Sequence, residues 1–144
     1  MTDPGTAEPF DPHRVKYAGD IEYPHDELTE RVIGAAIEVH RALGAGHFES
    51  AYESALAFEF ELRGITFLRQ FPIQLHYKGR LVGEGRLDFL VEQTLIVELK
   101  AIDGLKPLHM AQAIAYLRMT RHRRALLINF NEPLLKNGIK RISV

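Results

Sequence analysis

A short apolar run, Thr94-Leu95-Ile96-Val97-Glu98-Leu99-Lys100-Ala101, carries a carboxylate and an amine two residues apart. As a strand it sends Ile96, Glu98 and Lys100 to one face and Leu95, Val97 and Leu99 to the other. An ion pair on a half-exposed strand is the plainest account of such a spacing. The apolar flanks argue for more, because a charge set into a core strand is costly unless a partner or a metal meets it. Any fold for this chain must therefore place a polar centre on the face of a buried strand.

The remaining elements follow from periodicity. Residues 1 to about 25 hold four of the seven prolines and no apolar period, which predicts a mobile tail. From Asp26, a helix N-cap by type, Leu28, Val32, Ala35, Ala36, Val39 and Leu43 form one helical stripe, ended by Gly44 and Gly46. A second helix spans about Phe48 to Arg63, with Tyr52, Ala55, Leu56 and Leu62 expected inside. Glu49, Tyr52, Glu53 and Leu56 share one of its sides. Three strands follow: Phe67 to Tyr77, placed at a sheet edge or bulge by Pro72; Arg80 to Val91; and Thr94 to Ala101. Pro107 opens a third helix running to about Thr120. One of its stripes is His109, Gln112, Ala113 and Tyr116; a second, Leu108, Ala111, Ala115 and Met119, is expected to pack. Arg124 to Phe130 is a buried-type strand reached by a crossover, hence parallel to an earlier strand, and Gly138 to Val144 adds a last short one. The expected fold is α/β in the order α-α-β-β-β-α-β, a mixed sheet flanked by helices, in a single domain over residues 26–144.

Register decides whether Glu98 has a partner. A two-residue turn at Glu92-Gln93 would set Asp88 on the opposite face, whereas a three-residue loop, Glu92-Gln93-Thr94, sets Asp88 across from Glu98 on the same face. The three-residue loop is the expectation. Asp88, Glu98 and Lys100 would then form a site of two carboxylates and one ammonium. Close carboxylates repel, and a divalent cation relieves that repulsion better than one lysine does. Mg2+ takes oxygen ligands at about 2.0–2.1 Å and keeps several waters, so two carboxylates and a backbone carbonyl, that of Leu99, suffice. Lys100 would orient or deprotonate an attacking water, or stabilise charge in the transition state.

Composition narrows the alternatives. The chain has no cysteine, which excludes thiolate metal sites, disulfides and cysteine nucleophiles. Its sequence carries neither an apolar run of membrane-spanning length nor a leader-like start, so a cytoplasmic protein without a membrane partner is expected. The formal net charge is −1, yet residues 1–60 hold twelve acids against four bases and residues 101–144 hold eight bases against two acids. A basic surface there would suit a polyanion, with Arg118, Arg121, Arg123 and Arg124 following the third helix as backbone contacts.

The segment Gly46-His47-Phe48-Glu49-Ser50-Ala51-Tyr52 resembles the signature of the GxxExxY proteins, a group within the PD-(D/E)XK nuclease superfamily. Asp88, the Glu98-Leu99-Lys100 triplet, Gln112-x-x-x-Tyr116, Leu127-Ile128-Asn129-Phe130 and Gly138-Ile139-Lys140-Arg141-Ile142 resemble it in order and spacing, over about residues 26 to 144. Leu87 stands where the superfamily name has proline. The resemblance implies a restriction-endonuclease-like core and a Mg2+- or Mn2+-dependent phosphodiesterase acting on nucleic acid, DNA more than RNA. It makes Asp88 and Glu98 metal ligands, Lys100 the catalytic lysine, Glu49 a helical acid reaching the metal, and Gln112 and Tyr116 groups that position the site or substrate. His109 is a candidate phosphate contact, against an ordinary hydrogen-bonded histidine. For His47 a helix-entry role is expected, and for Tyr52 local packing or hydrogen bonding. The competing reading is a nucleic-acid- or protein-binding module that keeps the fold without turnover.

Overall fold

A computed structural model of the chain describes residues 26–144; the segment 1–25, expected to be a tail, lies outside the described residues. Helix α1 spans Glu27–Leu43, and Asp26 caps it by accepting from the Leu28 N–H at 3.0 Å. Gly44 follows in the left-handed region at φ 73°. Helix α2 spans Glu49–Leu62 and buries Tyr52, Leu56, Ala57 and Phe60. Leu62, expected inside, is 65% exposed, because the buried stripe steps by four from Tyr52 through Leu56 to Phe60 and leaves Leu62 on another side.

Strands β1 (Phe67–Tyr77), β2 (Arg80–Val91) and β3 (Leu95–Lys100) form the antiparallel meander. Helix α3 spans Pro107–Thr120, and β4 (Arg124–Asn129) runs parallel to β3 as the crossover requires. A short 3-10 turn, Leu135–Gly138, leads into β5 (Ile139–Ser143), antiparallel to β4. The sheet order is β1-β2-β3-β4-β5, which leaves Pro72 on an edge strand. This five-stranded mixed sheet flanked by three helices agrees with a restriction-endonuclease-like fold.

Two apolar layers sandwich the sheet. On one face α1 and α2 pack against Phe89, Val91, Leu95, Val97, Leu99, Leu126 and Ile128. On the other, α3 packs against Leu90, Ile96, Ala125, Leu127 and Ile142. The buried residues of α3 are Ala113, Ile114 and Leu117; of the expected stripe Met119 packs against them, partly buried, while Leu108 is 77% exposed and Ala115 is exposed too. The helix is apolar nearly all round, so periodicity alone could not choose its inner face.

Candidate active site

The β2–β3 ladder runs Val91↔Leu95, Leu90↔Ile96 and Phe89↔Val97, the register of the three-residue loop. The regular pairing stops one step short of Asp88 and Glu98, and side chains take over from backbone there. The Asp88 N–H donates to Glu98 Oε1 at 2.9 Å, and the Leu99 N–H donates to Asp88 Oδ2 at 2.8 Å. Each carboxylate thus occupies the backbone donor that the parted strand leaves behind, which satisfies both N–H groups and fixes both acids.

The electrostatics of this pair are unfavourable as they stand. Glu98 is 6% exposed; burial first, and then the negative charge of Asp88, push its pKa up to about 8. Burial also raises the Asp88 carboxyl against the lowering bond from the Leu99 N–H, and Glu53 raises it further. Glu49, the first residue of α2, is exposed as a residue, yet partial burial of its carboxyl and the charge of Asp88 raise it, while Lys100 lowers it. Glu49, Asp88, Glu98 and Lys100 therefore share one local field.

Helix α3 closes the other side. Lys100 Nζ donates to Gln112 Oε1 at 3.3 Å. Tyr116 is hydrogen-bonded to the Gln112 side chain, and burial followed by the charges of Glu98 and Asp88 raises its phenol above its ordinary value. His109 Nδ1 accepts the Lys106 N–H at 2.9 Å, which ties it to the start of α3. With Lys100, Leu108, Ala111, Gln112 and Ala115 it lines an open cleft of about 450 Å³.

The arginines lie elsewhere. Arg121 lines a separate cavity of about 480 Å³ with Thr94, Leu95, His122, Arg123 and Arg124, at the beginning of β3 rather than at its Lys100 end. Five residues of strand separate the two ends, roughly 16 Å. Arg118 sits in the last turn of α3, toward that far end. Part of the expected basic surface is also spent on structure, since Arg124 pairs with Asp26 at 2.6 Å and Arg141 pairs with Glu30.

His47 and Tyr52 act locally. His47 Nε2 lies 2.8 Å from the Leu43 carbonyl, and Tyr52 donates to the Gly44 carbonyl at 2.6 Å while accepting from the His47 N–H at 3.1 Å. The Tyr52 ring stacks on Phe130 with centroids 4.6 Å apart. These contacts brace the α1–α2 corner from which Glu49 starts.

Three contributors escaped the sequence reading. Glu53 lies one turn beyond Glu49 and raises the carboxyls of both Glu49 and Asp88. Gln70 donates to Asp88 Oδ1 at 3.4 Å and to Glu53. Asn129, fully buried, accepts the Ile102 N–H at 3.1 Å and donates to the Ile102 carbonyl at 3.0 Å, while the Phe130 N–H bonds the Lys100 carbonyl at 2.9 Å; together they hold the exit of β3. The side shared by Glu49 and Glu53 was the available signal; Gln70 comes level with Asp88 only through the register shift between Leu75 and His76, which the turn at Lys78-Gly79 did not announce.

The sequence profile of the PD-(D/E)XK nuclease superfamily matches residues 26–142, and the chain belongs to that superfamily. Comparisons with curated proteins and with solved structures each returned no match. Members of this superfamily act on nucleic acid and typically use divalent metal, and the donor set here fits such an ion. Two buried carboxyls, both raised by burial and Glu98 raised further by the charge of Asp88, are stabilised in their ionised forms by a hard cation. Among the described residues no group of three acids, histidines or cysteines is close enough to hold a metal by itself.

Proposed function

We propose that the chain is a divalent-metal-dependent nuclease of the GxxExxY group that hydrolyses phosphodiester bonds, in DNA more than in RNA. The observation that carries this reading is the reciprocal arrangement of Asp88 and Glu98, two fixed carboxylates in a desolvated cleft beside Lys100. Asp88 and Glu98, with the Leu99 carbonyl as a further oxygen, would hold Mg2+ or Mn2+, and Glu49 would reach the ion through a water. A bound ion there supplies a Lewis acid toward a phosphoryl oxygen and lowers the pKa of a water.

The chain's own groups divide the remaining work. Lys100, steadied by Gln112, presents an ammonium where negative charge grows on the phosphoryl group, and it can orient the attacking water. Tyr116, whose phenol is held protonated at neutral pH, can donate a hydrogen bond to a phosphate oxygen or keep Gln112 in place. His109 lines the open cleft beside Lys100 and Gln112 and can meet an adjacent phosphate. Water adds to phosphorus, the ester P–O bond breaks, and the products are a phosphate monoester and a free hydroxyl end.

Incubation with single-stranded, double-stranded and structured DNA and with RNA, with Mg2+, Mn2+ or chelator, tests the reading. Metal-dependent cleavage should fall by at least about 100-fold in Asp88→Ala and Lys100→Ala, the scale set by loss of one transition-state-stabilising group. Binding without cleavage on every substrate, unaltered by those substitutions, would instead identify a non-catalytic binding module.

A further inference from the structure

Strands β1 and β2 change face together beside the site. At Phe67, Phe89 and Val91 they pack toward α1 and α2, whereas at Phe71, Ile73 and Leu87 they pack toward α3. Odd-numbered residues of a regular strand stay on one face, so each strand must break its alternation between these groups. The pairing runs Arg69↔Phe89 and then Phe71↔Leu87, and it omits the two residues between, Gln70 and Asp88. Gln70 stands there at φ 53°, a left-handed conformation that costs a non-glycine residue energy and persists where its surroundings hold it.

The surroundings of Gln70 are specific. A glutamine carries its donors on Nε2, and both carboxylates beside Gln70, Glu53 and Asp88 Oδ1, meet that atom. Glu53 is itself anchored, with Oε2 accepting from Arg69 Nε at 2.8 Å, while Arg69 also donates to Ser54 Oγ at 3.0 Å. One Asp88 oxygen is thereby held by β3 through the Leu99 N–H and the other faces an amide tied to α2.

We infer that Gln70 is a positioning residue for Asp88: its left-handed backbone turns both strands at the site, and its amide, anchored on Glu53, sets the Asp88 carboxylate. This rests on the reading of Asp88 as a metal ligand, and it adds a residue that the Asp88, Glu98 and Lys100 set does not include.

The test uses the full chain and Gln70→Gly, which keeps the left-handed backbone without strain and removes the side chain with its amide. Three measurements are made: the melting temperature, the Leu99 amide proton resonance in metal-free protein, and Mn2+ affinity by calorimetry. The expected result is a melting temperature within about 2 °C of native. The Leu99 resonance shifts upfield with faster exchange as Asp88 gains freedom, and Mn2+ binds about 10-fold more weakly, the low end for losing a group that orients a metal ligand. Gln70→Asn, which tolerates the backbone but is one methylene short, should fall the same way. An unmoved Leu99 resonance with native Mn2+ affinity overturns the inference, as does a large loss of melting temperature with that resonance unmoved, which would make Gln70 a support of the hairpin alone. If the native chain neither binds Mn2+ nor cleaves, the nuclease reading fails, and the Leu99 resonance still decides the role of Gln70.

Discussion

At Glu98 the fold and the proposed metal site pull in opposite directions. Its folded pKa, about 8, lies above the ordinary carboxylate value, so its contribution favours the fold below pH about 4.5 and is lost as pH rises through about 8. In metal-free protein, Glu98→Gln should therefore be more stable than native at pH 9, by up to about 5 kcal/mol at about 1.4 kcal/mol per pKa unit, with the difference shrinking toward pH 4. The amide can still accept the Asp88 N–H, so shape is kept. Thermal melts across pH in chelator check this, and a native protein no less stable than the variant at pH 9 would contradict the assignment of a buried, repelled charge. Added Mn2+ should reverse the order at pH 9, because a cation favours the ionised pair.

At the scale of elements, the sequence showed most where one interaction dominates. The three-residue loop at Glu92–Thr94 followed from the need of Glu98 for a partner, and the parallel pairing of β3 with β4 followed from crossover geometry. The edge position of β1 followed from Pro72. It showed least where two faces are alike. Helix α3 buries Ala113, Ile114 and Leu117 and leaves Leu108 and Ala115 exposed, a choice that rests on β-sheet residues far away in sequence. The break in β1 at Gln70 had no glycine to announce it. A glycine does matter at position 138, where a Cβ would stand 2.3 Å from the Asn129 carbonyl oxygen and 3.0 Å from Glu132 Cγ. Gly138→Ala should lose about 1–3 kcal/mol in urea denaturation, since the nearest obstacle is backbone that cannot yield without moving β4.

Across the whole molecule, charge is used in two ways. The acidic start and basic end of the chain meet in the pairs Arg124–Asp26 and Arg141–Glu30, which join β4 and β5 to α1. Partial burial would raise Asp26, but its bonds from Arg124, Thr29 and Leu28 prevail and hold it below its usual value. Its support of the fold is present above pH about 4 and fades as pH falls further. The other use, under the proposed function, would be substrate reach. His109 lies at the Lys100 end and Arg121 at the far end, roughly 16 Å away along β3. At about 3.4 Å per base pair, Arg121 would meet only duplex extending about five base pairs past the scissile phosphate. Arg121→Gln should weaken binding of long duplexes and reduce their salt slope by about one, while leaving short ones unchanged; equal loss on both in fluorescence titrations at several salt concentrations would rule that reach out.

The clasp between Asn129 and Ile102 also sets a timetable. Contacts 27 residues apart in the chain finish the end of β3, so Lys100 cannot take its final setting until β4 has been made and docked. At a synthesis rate of about 5–20 residues per second, that interval is roughly 1–5 s on the ribosome. During it, Asp88, Glu98 and Lys100 all exist as residues of the growing chain without yet existing as a site. For the proposed nuclease, the cleft that would cut nucleic acid is thereby among the last parts of the fold to be assembled.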